Sequence, residues 1–276
     1  MNDFILSNLN KLKQIKIPNP ELDLRILLNY SKCTKNEIIL SNFNLDQINI
    51  KLFSLILNRR LANEPISKII NKKGFWKDDF YVNKFVLDPR PETEVIIEES
   101  LNIINDKQAN LKILDIGSGS GAIAISLARE FVNANIIAID ISNQAIQVAN
   151  KNITEKNLNN QIELKKTSIN FINDPFDLIV SNPPYLTKKE LENISYEIRN
   201  FEPVIALHGG EDGLDFYREF AKKLPHIMKT NAHLILEIGA KQFNDCVEIF
   251  SVSRLKFQKK TQDLQKKDRI MVFSKL

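Results

Sequence analysis

Asparagine, two prolines and a tyrosine stand together directly after an apolar run, in the sequence FDLIVSNPPYL. Proline cannot donate an N–H to a strand ladder and restricts the residue before it, so Pro183 and Pro184 end any strand that precedes them. The Asn182 side-chain oxygen and the adjoining backbone carbonyl can accept both hydrogens of an –NH2 group, and Tyr185 can stack on a flat group. Taken alone, the tetrad could orient an amide or an exocyclic amine, or it could be a proline turn that merely ends a strand.

A glycine-rich loop lies upstream, in LDIGSGSGAIAI, between an apolar strand pattern and an apolar helix pattern. Gly117, Gly119 and Gly121 let the backbone turn tightly and let a ligand come close, and the helix N-terminus offers free N–H groups. About twenty residues later the run NIIAID ends in Asp140, whose carboxylate can accept both hydroxyls of a ribose. The pair predicts a cofactor with an adenosine moiety, and the alternative is a structural turn followed by a surface acid.

The spacing of the glycines and the acid before them distinguish between two such cofactors. A dinucleotide site usually has G-x-G-x-x-G, whereas this chain has G-x-G-x-G preceded by Asp115. A carboxylate repels a pyrophosphate but attracts the amino group and the sulfonium of S-adenosylmethionine. The loop resembles motif I of the class I methyltransferases. The predicted cofactor is therefore S-adenosyl-L-methionine, with S-adenosyl-L-homocysteine as its product.

A methyl donor gives the Asn-Pro-Pro-Tyr tetrad a chemical meaning. Asn182 is expected at the carboxyl end of a central strand, where ligands bind in open α/β sheets, and it could point a target nitrogen at the methyl group. The candidate substrate-binding residues are Asn182, Pro183, Pro184 and Tyr185, and all but Pro184 are also candidate catalytic residues. Methyltransferases acting on adenine, cytosine and glutamine nitrogens share this motif, so it does not by itself select the substrate.

The spacing of apolar residues changes near residue 75, which divides the chain into two kinds of structure. Before that point it predicts a small helical domain over residues 1–72. The expected elements are helices at 3–15, 21–31 and 45–62, and a short helix that starts with the capping-box spacing Thr34–Glu37. Aromatic residues and valines in 75–88 predict a β-hairpin within a linker at 73–90.

Residues 91–276 are predicted to form the catalytic domain. A helix is expected from Glu92 to Ile104, and seven strands and their helices then alternate to the end of the chain. Such alternation predicts a doubly wound, mostly parallel sheet, here closing on an antiparallel hairpin near 253–259 and 269–274. The predicted fold class is α/β: a Rossmann-like, class I S-adenosylmethionine-dependent methyltransferase with a seven-stranded sheet, preceded by the helical domain.

Composition excludes little. The chain has 276 residues, 43% hydrophobic and 26% charged, and its net charge of +4 is too small to indicate a nucleic-acid binder. Cys33 and Cys246 are far apart and are expected to be reduced, and His208, His226 and His233 form no ligand spacing, so no metal is predicted. No signal peptide or membrane span is recognisable, and a cytoplasmic location is expected.

Several further stretches carry a resemblance that covers nearly the whole chain. They are RRLANEPISKII, FVLDPRPETEV, FEPVIALHGGEDGLDFYR, LILEIG with Gln242 soon after, and a terminal D-x-x-x-x-DR-I-x-V. In order and spacing they resemble the HemK/PrmC family of protein-(glutamine-N5) methyltransferases. The resemblance implies methylation of the glutamine in the Gly-Gly-Gln (GGQ) loop of bacterial class 1 peptide chain release factors, with the helical domain holding the release factor.

The resemblance also implies roles for individual positions. Cofactor contacts are expected from Gly117, Ser118, Gly119, Ser120, Gly121, Asp140, Ser168 and Asn182. Segment 89–94 matches a signature beside the active site, in which Arg90 is either functional or part of a structural ion pair. Glu202-Pro203 is expected to be scaffold around the cleft.

The chain departs from the family pattern at a few positions. Asn63 and Asn71 replace glycines, which is a mild change because asparagine tolerates left-handed backbone conformations. Lys68 replaces an aromatic residue, and Asp88 replaces an apolar one. Ser168 stands roughly where relatives place an acid near the adenine, and its hydroxyl can still meet the exocyclic amine.

Three alternatives remain open on the sequence. The first is the same chemistry on a glutamine of a ribosomal protein, and the second is an amino-methyltransferase of DNA or RNA. The latter would carry a basic channel or a target-recognition domain, and the mixed charge of the N-terminal region indicates neither. The third is a non-catalytic module that binds S-adenosylmethionine, against which the intact glycine loop and tetrad argue. No stable nucleic-acid or membrane partner is expected.

Overall fold

The computed structural model describes residues 3–275. They form two compact units, one of residues 3–71 with Tyr196–Phe201 and the other of Lys72–Ser195 with the residues from Glu202 onward. The helices are α1 (Asp3–Gln14), α2 (Pro20–Tyr30), α3 (Ile50–Leu61), α4 (Ile66–Ile70), α5 (Glu94–Ile103), α6 (Ala122–Glu130), α7 (Asn143–Glu155), α8 (Lys188–Glu192), α9 (Tyr196–Phe201), α10 (Asp215–Ile227) and α11 (Phe243–Ser251). The strands are β1 (Lys73–Phe75), β2 (Asp78–Phe80), β3 (Lys112–Ile116), β4 (Asn135–Asp140), β5 (Ile162–Lys166), β6 (Phe176–Ser181), β7 (Met228–Glu237), β8 (Leu255–Gln262) and β9 (Asp268–Lys275).

The first unit is helical, as its apolar spacing predicts. The apolar faces of α1, α2 and α3 meet around Phe53, which is 1% exposed. Arg60 lies among them, and its Nε donates to Asp23 Oδ2 at 2.7 Å while its Nη1 donates to Glu197 Oε1 at 2.7 Å. A buried guanidinium needs such partners, because an unpaired charge in the interior is very costly. Arg60 therefore ties α2, α3 and α9 together.

Local signals in the first unit were partly wrong. No helix starts at Thr34, because its hydroxyl bonds to the Asn36 carbonyl and the amide of buried Ile38 bonds to Asn29 Oδ1 instead of closing a helical turn. The helix predicted at 45–62 is interrupted: α3 begins only at Ile50, where the Asn49 side chain caps the amide of Leu52.

Two departures from glycine are accommodated in this region. Asn63 and Asn71 have φ of 62° and 52°, within the left-handed region that asparagine enters more readily than other non-glycine residues. Asn71 caps the end of α4 in this conformation. The replacements therefore keep the backbone path that glycine would allow.

The β-hairpin is real but shorter than predicted. β1 and β2 pair antiparallel across a turn at Trp76 and Lys77, and no strand continues through residues 81–88. Phe75 and Phe80 are almost fully buried in the core of the second unit, so the hairpin is part of that unit rather than an independent linker. The prediction of a strand beyond Phe80 was wrong, because Val82 and Val86 enter the core from irregular backbone.

The second unit contains a seven-stranded sheet in the order β5-β4-β3-β6-β7-β9-β8. The strands from β5 to β7 are parallel, and β9 pairs antiparallel with both β7 and β8. One apolar cluster covers each face, which confirms the predicted doubly wound α/β class with its closing hairpin. The order reverses between β3 and β6, so their carboxyl ends form the crevice where ligands bind in such sheets.

Within residues 3–275, no helix is both long enough and apolar enough to cross a lipid bilayer.

Candidate active site

A cavity of about 150 Å³ opens at the carboxyl ends of the parallel strands. The residues after β3, β4, β5 and β6 that line it are Gly117, Gly119, Ile141, Ser142, Thr167, Ser168, Ile169, Asn182 and Pro184. Asp140, the last residue of β4, also lines it. The structure therefore brings the glycine loop, Asp140, Ser168 and the start of the tetrad into one cavity, although they are distant in sequence.

The glycine loop has the backbone that its sequence requires. Gly117, Gly119 and Gly121 have φ of 75°, 54° and 80°, a region that side-chain-bearing residues rarely adopt. A Cβ on Gly117 would meet no atom within 4 Å, so the loop leaves open space next to this backbone. A Cβ on Gly121 would lie 3.4 Å from the Ala149 Cβ, so this glycine serves the packing of α6 against α7.

Three residues of the predicted cofactor set belong to the glycine loop but do not line the cavity. Ser118, Ser120 and Gly121 do not line it, and both serines are at least nine-tenths buried. The Ser120 carbonyl accepts a hydrogen bond from Asn152 Nδ2 at 2.8 Å, which fixes the loop to α7. The Ser118 hydroxyl is buried without a hydrogen-bond partner among the described residues.

Asp140 holds the glycine loop from the neighbouring strand. Its Oδ2 accepts from the Gly119 amide at 3.0 Å, and its Oδ1 accepts from the Ser142 amide at 2.8 Å. Burial raises the pKa of this carboxyl, while hydrogen bonds from the Ser142 and Gly119 amides act in the opposite direction. Each carboxylate oxygen can accept a further hydrogen bond, so Asp140 can hold the loop and still receive hydroxyl groups from a ligand.

Asp115 is a buried acid beneath the same loop. It is 0% exposed, and neither carboxylate oxygen has a hydrogen-bond partner among residues 3–275. Burial raises its pKa to about 7; the Ala124 amide, although outside hydrogen-bonding geometry, partly opposes this shift, and the charge of Asp140 adds to it. An unpartnered carboxylate under an open glycine loop suits a ligand that carries a positive charge. These residues fit S-adenosylmethionine better than a pyrophosphate.

The tetrad directly follows β6 as predicted, and its side chains lie in different environments. Asn182 and Pro184 line the cavity, whereas Pro183 is buried. Tyr185 packs against the apolar cluster of one sheet face, and its hydroxyl lies 3.5 Å from Glu237 Oε1. Burial and the Glu237 charge raise the pKa of Tyr185 to about 12. Tyr185 therefore anchors the tetrad to β7 instead of lining the cavity.

Two residues in contact with the tetrad carried no assigned role in the sequence analysis. Asn182 Nδ2 donates to Thr93 Oγ1 at 2.9 Å, and the Thr93 hydroxyl donates to Glu237 Oε2 at 2.5 Å. Both belong to stretches quoted for the resemblance, PRPETE and LILEIG. No local pattern connects them, because Glu237 lies 144 positions after Thr93 and only the packing of the segment before α5 against β7 brings them together.

Glycines enclose the backbone of the tetrad. A Cβ on Gly209 would lie 2.6 Å from the Pro184 carbonyl oxygen, and one on Gly213 would lie 2.3 Å from the Tyr185 carbonyl oxygen. Gln242 Nε2 donates to that same Tyr185 carbonyl at 3.0 Å and to the Gly213 carbonyl at 3.1 Å. The glycines in HGGEDG thus let a second chain segment press directly against the tetrad and fix its path.

Arg90 and Glu202 join two of the signature segments. Arg90 Nη2 lies 3.1 Å from Glu202 Oε1, and the Asp88 amide donates to Glu202 Oε2 at 3.1 Å. Glu202 is 7% exposed, so these contacts lie in the interior, where a buried carboxylate needs hydrogen-bonding or charged partners. The neighbouring Pro203 lines the cavity. Among the described residues, no group of three or more His, Cys, Asp or Glu side chains is placed to hold a metal ion.

Known proteins resemble the chain in both sequence and fold. The model of the methyltransferase small domain family matches residues 99–199. A bifunctional methyltransferase of Rickettsia typhi is 38% identical over 292 residues, an alignment that covers 98% of this chain and 56% of the relative. The chain thus spans about half the length of the bifunctional relatives it matches. A crystal structure of a ribosomal protein L11 methylase from Lactobacillus delbrueckii has a TM-score of 0.51 at 17% identity, covers 74% of this chain and 88% of its own, and supports the fold alone.

Relatives of similar length identify the family. The release factor glutamine methyltransferase of Caulobacter vibrioides is 36% identical over 267 residues, with 95% of this chain and 92% of the relative covered. The one from Buchnera aphidicola is 39% identical over 243 residues, with 87% and 86% covered. With the glycine loop, Asp140 and the tetrad at one edge of a methyltransferase sheet, the chain belongs to the HemK/PrmC family of protein-(glutamine-N5) methyltransferases.

Proposed function

We propose that this protein transfers a methyl group from S-adenosyl-L-methionine to the side-chain amide nitrogen (N5) of the glutamine in the GGQ loop of bacterial class 1 peptide chain release factors. The observation that carries the proposal is the orientation of Asn182. Its Nδ2 is bound to Thr93, so its Oδ1 remains available to accept a hydrogen bond from a target –NH2 beside the glycine loop. Because release factors act at the ribosome, the reaction would take place in the cytoplasm.

The glycine loop and the ends of β4 and β5 would hold the cofactor. We assign the ribose hydroxyls to the free acceptor positions of Asp140 and the adenine to the apolar wall around Ile141 and Ile169, with Ser168 near its exocyclic amine. Gly117 and Gly119 offer backbone that a ligand can approach closely. When bound, S-adenosylmethionine would supply an electrophilic methyl group on a positively charged sulfur, and ionised Asp115 would supply negative charge under the glycine loop.

The tetrad would hold the glutamine. We place the target –NH2 between Asn182 Oδ1 and the Pro183 carbonyl, with Pro184 forming part of the wall. The contribution of Tyr185 is mainly positional, because its hydroxyl lies beside Glu237 and its carbonyl is bound by Gln242. The helical unit, residues 3–71 with α9, is proposed to bind the body of the release factor.

The reaction requires these residues to position the amide nitrogen and to stabilise developing charge, and it does not require a strong base. An amide nitrogen is a poor nucleophile because its lone pair is delocalised into the carbonyl. Two acceptors on its hydrogens fix it in place, stabilise positive charge that develops on nitrogen, and exclude competing water. The surplus proton leaves for solvent after the methyl group is transferred, so no general base within the cavity is required.

Radiolabelled methyl transfer tests the proposal directly. Purified release factor should accept one methyl group, and a release factor with alanine in place of the GGQ glutamine should accept none. Asn182→Ala should lower turnover by two or more orders of magnitude while cofactor affinity stays within about twofold. Asn193→Ala is the matched control, since among the described residues its exposed side-chain amide bonds only to the Lys189 carbonyl. Equal turnover of Asn182→Ala and the control would contradict the assignment.

The same assay separates the alternative substrates. Total ribosomal protein and DNA are added as competing substrates in separate reactions. If a ribosomal protein is labelled preferentially and mass analysis of its fragments places the methyl group on a glutamine, the substrate would be a different protein. Preferential labelling of DNA would refute the proposal of a protein substrate altogether.

A further inference from the structure

The hydrogen bonds around Asn182 form a chain whose direction is set at one end. An ionised carboxylate has no proton to donate, so at the 2.5 Å contact between Thr93 Oγ1 and Glu237 Oε2 the proton belongs to the threonine. A hydroxyl has a single proton, so Thr93 Oγ1 can only accept at its 2.9 Å contact with Asn182. The group facing Thr93 must therefore be the –NH2 end of the Asn182 amide.

We infer that Glu237 is a positioning residue that acts through Thr93 to hold the Asn182 amide with Oδ1 turned to the substrate. The inference rests on the proposed function of Asn182 and adds what selects its orientation. The two ends of an asparagine amide have almost the same shape, so packing alone discriminates poorly between them. Turned over, the amide would present two N–H donors to a target –NH2, which is itself a donor, and the substrate could not be held.

The remaining contacts leave Asn182 Oδ1 for the substrate. Within residues 3–275 it accepts no hydrogen bond, although Asn182 lines the cavity. Glu237 itself is held from several sides: the Tyr185 hydroxyl lies 3.5 Å from Oε1, and the Tyr217 hydroxyl donates to the Glu237 carbonyl at 3.0 Å. Glu237 is 2% exposed, so its carboxylate cannot turn away to solvent.

The charges facing Glu237 come from several elements. Burial raises its pKa to about 7, the Thr93 hydrogen bond and Arg269 on β9 act against this, and the charge of Glu92 adds to it. A protonated Glu237 can donate to Thr93, which then donates to Asn182 and favours the turned-over amide. Turnover should therefore fall as pH decreases through about 7, because the productive orientation depends on the ionised form.

Three variants test the chain of hydrogen bonds by turnover. Thr93→Val removes the hydroxyl at nearly constant volume and should lower kcat about tenfold at pH 8, the factor that one net hydrogen bond is worth. Thr93→Ser retains the hydroxyl and should restore most of the activity. Glu237→Gln cannot ionise, so its kcat should fall less from pH 8.5 to pH 6 than the wild-type kcat does, while Asp115, whose pKa is also about 7, is present in both proteins and contributes equally. Cofactor affinity should stay within about twofold in all three.

A spectroscopic readout separates this inference from the proposed function. The side-chain N–H2 signals of Asn182, identified by their loss in Asn182→Ala, should shift with pH with a midpoint near 7 in the wild-type protein. The shift should vanish in Glu237→Gln and in Thr93→Val. This measurement needs no substrate, so a wild-type protein that fails to methylate release factor but shows the titration would refute the function and retain the positioning role.

Other outcomes overturn the inference whatever the substrate is. Equal kcat for Thr93→Val and Thr93→Ser would show that the hydroxyl does not orient Asn182. An acid limb of the same size in Glu237→Gln as in wild type, or Asn182 signals that titrate unchanged in that variant, would show that another group controls the amide. If Thr93→Val fails to fold, Glu237→Gln and the wild-type titration decide the question by themselves.

Discussion

Asp115→Asn should make the second unit more stable at high pH and change how its stability depends on pH. Asp115 is 0% exposed and its carboxylate has no hydrogen-bond partner among the described residues. Asparagine has nearly the same shape but cannot ionise. The substitution therefore isolates the cost of keeping a charge under the glycine loop.

The magnitude follows from the change in pKa on folding. A carboxyl whose pKa rises from 3.8 to about 7 costs roughly 4 kcal/mol of stability at pH 8, where it is ionised in both states. The folded pKa is the higher one, so the folded state binds the extra proton between these two values. As pH falls below about 7, the folded wild-type protein binds this proton and becomes more stable. As pH rises back through about 7, that gain in stability is lost. A buried amide without partners costs about 1–3 kcal/mol at every pH, so the variant should be more stable by about 1–3 kcal/mol at pH 8.

The pH dependence of the difference is the sharper quantity. Between pH 8 and pH 5 the free energy of unfolding of the variant, relative to wild type, should fall by roughly 3 kcal/mol. Glu237 titrates in the same range but is present in both proteins, so its contribution cancels. Urea unfolding followed by fluorescence reports on this unit, because Trp76 is the single tryptophan of the chain and lies in its hairpin.

Asp174, an exposed acid, provides the control for this test. Asp174→Asn changes an exposed acid whose pKa is lowered by its hydrogen bond to Lys112, so it should leave the pH dependence between pH 5 and pH 8 unchanged. If the difference between Asp115→Asn and wild type stays constant over that range, Asp115 is ionised in the folded protein, and the reasoning from burial is wrong.

Three further predictions concern the site and the helical unit. Asp140→Ala removes the acceptor of the Gly119 amide and should weaken S-adenosylmethionine binding roughly 10- to 100-fold by calorimetry. Gly213→Ala would bring a Cβ to 2.3 Å from the Tyr185 carbonyl oxygen, and the displaced tetrad should lower kcat about a hundredfold in the methylation assay. Arg60→Met leaves Asp23 buried without its 2.7 Å partner and should lower the free energy of unfolding of the helical unit by about 3–5 kcal/mol in urea.

Each of these has a matched variant that should be nearly silent. Asp106→Ala changes an exposed acid and should leave cofactor affinity unchanged. Gly74→Ala meets its nearest atom at 3.7 Å, an ordinary contact, and should keep full turnover. Lys13→Ala breaks an exposed ion pair of 4.0 Å and should change stability by less than about 1 kcal/mol. If a variant and its matched control give the same result, the structural reason given for that variant is refuted.

The sheet and the position of its ligand edge could be predicted because they depend on repeated local signals. Apolar runs alternating with amphipathic stretches specify strands and covering helices, and chain connectivity then limits the topology. Gly117, Asp140 and Asn182 each directly follow or end a strand, and Gly119 lies two residues further along the same loop as Gly117, so their convergence followed from the fold. Thr34 shows the limit of such signals: a capping-box spacing was present, but Asn29 and the core bound the backbone that a helix would have needed.

The supporting residues of the site could not be found in this way. Thr93, Glu237 and Gln242 contact the tetrad only after the sheet has formed, and their polar side chains have no periodic or motif signal of their own. Tyr185 was expected to face a ligand but packs against the apolar cluster of one sheet face. A sequence cannot show which of two apolar environments an aromatic side chain occupies. Contacts between distant segments decide both questions.

Helix α9 has a consequence for how the protein is made. It is the last element of the helical unit, and its Glu197 pairs with Arg60, yet it is encoded within the second half of the chain. During synthesis the helices up to α4 emerge from the ribosome long before α9 does. Arg60 therefore lacks one of its partners until four of the seven strands of the large sheet have also been made. A polypeptide that ends at residue 71 lacks this partner, and the first unit reaches its full stability only in a nascent chain that extends past residue 201.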